Sequence, residues 1–165
     1  MALKANLGMT YSDQGRFDEA EELKLEVLEM SKRVLGCEHP DTVTRKSNLA
    51  ITYWHQGRSV EAAILELEAL ASNQCVLGDE HPSTMTCQAN LAYTMKTLGE
   101  EALALCMMTQ SAKASTQILG PTHPDSIARN QVVDAWTKEY EKEGRIRDSS
   151  RDVPVQSNCH GGANA

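Results

Sequence analysis

Three histidines sit in matching contexts: His39 in LGCEHPDT (35–42), His81 in LGDEHPST (77–84) and His123 in LGPTHPDS (119–126). Imidazole suits proton transfer near neutral pH and metal ligation. Cys37 lies two residues from His39, and that sulfur–nitrogen pair has the donor types of a zinc site. The matching residues in the other copies, however, are Asp79 and Pro121, so the pair is not repeated. The histidines themselves recur every 42 residues. A reaction centre used once needs no three copies at a constant step, whereas a period of this size marks a repeat architecture.

The remaining chemistry-bearing residues are as sparse. The five cysteines, Cys37, Cys75, Cys87, Cys106 and Cys159, are odd in number, form no C-x-x-C and do not follow the repeat. A disulfide framework is therefore not expected. Cys159 and His160 in NCHGG could hold a metal weakly, but no second ligand pair is in view. There is no P-loop, nucleophile elbow, His-Glu-x-x-His or paired-carboxylate arrangement. The chain is read as non-enzymatic, with no catalytic residue, cofactor or metal site. Net charge is −7, and no basic stripe forms, which argues against nucleic acid. Glu19, Glu21, Glu22, Glu26 and Glu29 crowd one predicted helix, as a solvated face or as a docking patch for a basic partner. No run approaches about 18 apolar residues and no signal-peptide pattern opens the chain. A soluble, cytoplasmic protein away from membranes is expected.

The elements explain the histidines. Proline after each His fits the first helical position, where its missing N–H would have had no partner. It also pushes the His out of helical geometry, as a cap residue requires. Asp41 and Asp125 then fall in a first turn, where the helix dipole favours them. The histidines are helix-opening residues. Each first helix ends near a glycine such as Gly57, and a second apolar-periodic stretch follows to Gly36, Gly78 or Gly120. In the first copy Phe17, Ala20, Leu23, Val27, Leu28 and Val34 make one stripe. Gly8, Ala50, Ala92, Ala20 and Ala62 leave room for close helix approach, and Leu7, Leu49 and Leu91 are expected to fill the space between repeats. Helices are predicted over 2–14, 17–35, 40–55, 59–77, 82–97, 100–118 and 124–143.

NLGMTYSDQGR (6–16), NLAITYWHQGR (48–58) and NLAYTMKTLGE (90–100) align without a gap. With Glu61-Ala62 and the LGDEHPST stretch, these units resemble tetratricopeptide repeats of the long kind found in kinesin light chains. They are especially similar to the arrays at the C-terminal end of fungal nucleotide-binding receptor-like proteins. The resemblance covers residues 1 to about 135 and implies an all-α right-handed helical solenoid. Three helix-turn-helix repeats (about 1–38, 39–80 and 81–122) are followed by a capping helix (123–144), which completes a domain at 1–144. Residues 145–165, rich in Ser, Asp, Gly and Asn, are expected to be disordered.

The third unit departs from the pattern: Glu101-Ala102 comes two residues early, and Met95 replaces the tyrosine of Tyr11 and Tyr53. Either Ala104 takes the packing position without a gap or the turn is shortened, and the third hairpin is expected to be the least regular. At the start, the first His-Pro would precede residue 1, so the first helix is expected to lack its cap and to leave apolar surface open.

Stacked hairpins form a concave surface lined by the first helix of each pair. Asn6, Met9, Asn48, Ile51, Trp54, His55, Asn90, Tyr93 and Lys96 are expected to face it. An Asn amide gives and receives hydrogen bonds, which suits a peptide backbone, and the resemblance to kinesin light chains implies the same role. Two readings stand for the asparagines, peptide capture or bonding within their own hairpins. Two stand for Trp54, interface anchor or burial between repeats. The function expected is binding of a peptide or partner protein in the groove. The alternative is a truncated repeat segment of a larger receptor-like or kinesin-light-chain-like protein, structural or self-associating through its uncapped first helix.

Overall fold

The computed structural model describes residues 2–142. It contains seven helices and, among the described residues, no strand: α1 (Ala2–Asp13), α2 (Phe17–Leu35), α3 (Pro40–His55), α4 (Ser59–Leu77), α5 (Pro82–Thr97), α6 (Glu101–Leu119) and α7 (Pro124–Lys142). Each helix packs chiefly on its neighbours in sequence. This yields three hairpins, α1–α2, α3–α4 and α5–α6, stacked as a helical solenoid with α7 against the last. The expected disordered tail and the Cys159–His160 pair lie outside the described residues.

The three histidines open helices. The backbone N–H groups of Asp41, Ser83 and Asp125 donate to Nδ1 of His39, His81 and His123 at 3.2, 3.1 and 3.2 Å. Each ring nitrogen thereby satisfies an amide that the first turn would otherwise leave without a partner. The second helix of each hairpin closes on a glycine in a conformation that essentially only glycine adopts, as at Gly78 with φ 88 and ψ 166.

Hairpins close through small residues. Ala20, Ala62 and Ala104 are fully buried, as are Ala50 and Ala92. A methyl group on Gly8 would stand 3.3 Å from Cγ of Lys24, so α1 and α2 also meet closely. Ala104 holds the packing position, and α2, α4 and α6 start 42 residues apart and are each 19 residues long. The third hairpin is therefore as regular as the others, contrary to expectation: the Glu-Ala pair is displaced in sequence, but the packing register is not. Loss of Tyr at Met95 accompanies loss of Arg at Glu100. In the other copies the guanidinium of Arg16 or Arg58 lies over the ring of Tyr11 or Tyr53, 4.1 Å from its centroid. Both partners of that contact are gone together.

Two apolar expectations need correction. Val34 is exposed, and the buried stripe of α2 instead runs Ala20, Lys24, Val27, Leu28, Ser31. The seam thus keeps a spacing of three or four, and Val34 falls on the outer side of the last turn. Leu49 and Leu91 are buried at 1% exposure, but Leu7 is 43% exposed. The later two are covered by the preceding hairpin, and no described helix precedes α1.

At the other end, Trp136 of α7 packs into a cluster with Ala89, Ala92, Ala104 and Met108, flanked by Val132 and Val133. A polar clamp also recurs within hairpins at the 42-residue step. Lys4 bonds Glu26, Lys46 pairs with Glu68 at 3.3 Å, and Gln88 donates to Gln110 at 2.9 Å.

Candidate functional site

The first helices set one face toward a groove, because residues three and four apart share a side of a helix. Asn48, Ile51 and Trp54 of α3 and Asn90 and Tyr93 of α5 are such a set. Three adjoining hollows make up the groove. Ala5, Met9, Lys24, Val27, Arg45 and Asn48 line a narrow one of about 30 Å3. The next, about 320 Å3, lies between Thr44, Asn48, Ile51, Thr86, Cys87 and Asn90. The third, about 290 Å3, lies between Ile51, Trp54, His55, Glu66, Asn90, Tyr93 and Thr94. Asn48 joins the first two and Ile51 and Asn90 the second two, so the hollows run on continuously.

The structure therefore brings Met9, Asn48, Ile51, Trp54, His55, Asn90 and Tyr93 together along one trough. Asn6 is exposed on α1 but lines none of these hollows. Lys96 is drawn elsewhere: its ammonium pairs with Glu139 of α7 and lies over the Trp136 ring, 4.7 Å from the centroid. The side-chain amides of Asn48 and Asn90 make no hydrogen bond with the described residues. Trp54 is 37% exposed. Its indole N–H donates to Oγ1 of Thr97 at 2.9 Å, which holds the ring where it lines the cavity. His55 meets Trp54 edge-on and stacks on Phe17 with ring centroids 4.8 Å apart.

Charge varies along the trough. At the Met9 end, the Lys24 ammonium is buried and bonds Oγ of Ser12 (2.6 Å), the Asn48 carbonyl (3.2 Å) and Oγ1 of Thr52 (2.7 Å). Burial lowers its pKa, and Asp13 partly restores it. Nε of Arg45 is buried there without a partner. Further along, Glu66 of α4 is only 2% exposed and forms part of the third cavity's wall. Burial raises its carboxyl to about 7, against a hydrogen bond with Thr94 that favours the charged form. Its Oε2 has no partner among the described residues. In the second hollow, Cys87 lies 3.4 Å from Oγ of Ser47 and 3.2 Å from Nδ2 of Asn73, and burial pushes its thiol up, away from the reactive thiolate.

Sequence reasoning missed Glu66. The signal was present: residues 24, 66 and 108 hold the same place in the 42-residue register, inside an apolar stripe, yet they are Lys, Glu and Met. Their partners on α3, α5 and α7 are Thr52, Thr94 and Trp136, also 42 apart. The seam position thus changes from a cation bonded to hydroxyls, to a carboxyl beside a hydroxyl, to an apolar pair.

Among the described residues, no helix is long and apolar enough to cross a membrane, and no group of three or more His, Cys, Asp or Glu is placed to hold a metal ion. Two profiles described as tetratricopeptide repeat match residues 1–74 and 84–125. No curated protein sequence matches the chain. Among solved structures, the chain is similar to the kinesin-light-chain-like nearly identical TPR-like repeats of Podosopora anserina. The TM-score is 0.78 and identity 26%, over 87% of this chain and 67% of that one. A substituted form of the same repeats gives TM-score 0.77 and identity 26%, over 87% and 66%. BtubC (BKLC) from P. vanneervenii gives TM-score 0.69 and identity 18%, over 99% and 70%, which is a likeness of fold. The chain spans about two thirds of the length of each of these structures.

Proposed function

The chain belongs to the tetratricopeptide repeat family, of the kinesin light chain type, a protein-interaction repeat module; from that premise we propose that it binds an extended peptide or partner segment in the trough between α1, α3 and α5. The observation that carries this reading is the pair of free amides. Asn48 and Asn90 stand one repeat apart on the wall of one hollow, with no side-chain partner among the described residues. An amide with both donor and acceptor to spare can hold a peptide group by its N–H and C=O together. Ile51, Trp54 and Tyr93 supply apolar and aromatic surface beside them, as interface anchors do. Asn6 lies one repeat earlier on α1, outside these hollows, and Lys96 takes part only as a brace between α5 and α7. The proposed role is non-enzymatic and independent of cofactor, nucleic acid and membrane. A cytoplasmic setting fits four described cysteines that are all unpaired.

The test is selection of displayed octapeptides on the full chain and on an Asn48→Ala/Asn90→Ala variant. Each amide removed is expected to weaken retained peptides by about 1–3 kcal/mol, the cost of leaving their backbone groups unpaired. Thermal unfolding should barely change. Peptides that bind the double variant equally well, a double variant that unfolds, or no retained peptide at all would each overturn the reading.

One observation favours a second reading. Leu3 is 87% exposed on α1, and Leu7, one turn on, is also open. Such a face suits a second copy of the chain or a further helix. Sedimentation should then show concentration-dependent association that Leu3→Glu abolishes; a monomer at every concentration refutes it.

A further inference from the structure

The third hollow of the groove combines aromatic walls with an unsatisfied acid. Glu66 is buried on α4, its Oε2 has no partner among the described residues, and it lines the cavity that Trp54, Tyr93, His55 and Ile51 surround. In the hairpins on either side, the same seam position is filled from within the fold. Lys24 spends its ammonium on Ser12, Thr52 and the Asn48 carbonyl, and Met108 packs with Trp136. Only the middle copy presents a carboxyl toward a cavity of about 290 Å3. No lysine lines this cavity, and Lys96 of α5 is held by Glu139 and the Trp136 ring.

A buried carboxylate makes its strongest bonds with a cationic donor, and a site shielded from water strengthens them. Aromatic faces attract the same kind of ligand. Trp54 lines the cavity with its N–H already bonded to Thr97. The cavity also adjoins Asn90, which places it beside the path of a peptide backbone.

We propose that this cavity receives the lysine or arginine side chain of a bound peptide, with the charged group on Glu66 and the methylenes between Trp54 and Tyr93. This rests on the peptide-groove reading for its source, and its chemistry can be tested without a peptide.

The first arm uses n-butylammonium and n-butylguanidinium, followed by the Trp54 indole Nε1–H in 1H–15N spectra of the full chain. Either cation should give a saturable shift that n-butanol and butyrate do not reproduce. Glu66→Gln should weaken it by about fivefold or more. Ile51→Phe, which narrows the mouth at an exposed position, should weaken it without touching the carboxyl. A shift equally strong with n-butanol, an unchanged response in Glu66→Gln, or no saturable response to either cation overturns the proposal.

The second arm takes octapeptides retained by the groove. They should carry a basic residue at one fixed position, and norleucine there should weaken binding about tenfold in the wild type. The same exchange should matter little in Glu66→Gln. Retained peptides without a basic residue overturn the proposal and leave the groove intact. A cation response with no retained peptide overturns the peptide as occupant and the groove reading with it.

Discussion

Replacing Glu66 by Gln should stabilise the chain above neutral pH and leave it nearly unchanged in acid. Burial raises the Glu66 carboxyl from an ordinary 4.5 to about 7. Between those values the folded chain keeps a proton that the unfolded chain has released. The stability that the neutral acid contributes is therefore fully present below about pH 4.5 and is lost as pH rises through about 7. One unit corresponds to about 1.4 kcal/mol, so the full span sets a ceiling of about 3 kcal/mol. Water at the cavity mouth screens part of this, which leaves about 1–3 kcal/mol. Gln keeps the shape and the hydrogen bond with Thr94 without the ionisation. Urea unfolding by far-ultraviolet circular dichroism at pH 4.5 and pH 8 supplies the comparison. The gap between Glu66→Gln and wild type should open by about 1–3 kcal/mol from the lower pH to the higher. Groups common to both proteins cancel in that difference. His55 shares the cavity, so repeating the pair on a His55→Gln background isolates the carboxyl. A gap that does not change with pH, or a variant less stable at pH 8, refutes the reasoning.

The register makes two further contrasts. Leu49→Ala, at a site 1% exposed, should cost about 2–5 kcal/mol; Leu7→Ala, at the same repeat position but largely open, should cost less than about 1 kcal/mol in chemical denaturation. Gly78→Ala forces a side chain onto backbone with φ 88 and ψ 166, and thermal unfolding should report a loss of about 1–3 kcal/mol although no atom would crowd the new methyl.

Much of the fold was written in local chemistry. His-Pro marks where α3 and α5 begin, Leu-Gly where α4 ends, and the short glycine turns between them the remaining ends, so 40–55, 59–77 and 82–97 coincide with α3, α4 and α5. The third hairpin was misjudged because Glu101-Ala102 looks like a displaced motif, whereas packing needs only a small residue at 104. Leu7 was misjudged because burial belongs to the neighbour, not to the motif. The trough was partly legible: the step from Asn48 to Asn90 placed both on one wall. Lys96 left that wall because Glu139 and Trp136, far along the chain, compete for its ammonium. Glu66 escaped notice because a charged residue in an apolar stripe reads as surface until the facing hairpin is known.

Stacking like on like carries a hazard of its own. Hairpins that share caps, turns and small packing residues could dock one step out of place, within a chain or onto another copy. The seam makes such errors unequal. In order, Lys24 meets Thr52, Glu66 meets Thr94 and Met108 meets Trp136. Shifted by one unit, Met108 would face Thr94 and leave its hydroxyl without the carboxyl. Glu66 set against Trp136, one step the other way, would bury an acid with no hydroxyl beside it. Each mismatch leaves a buried polar group unpaired, at about 1–3 kcal/mol and more where the group is charged. Three positions that break the repeat thus act as an address for each hairpin, so a chain whose helix-opening signal is written three times still has one order of assembly.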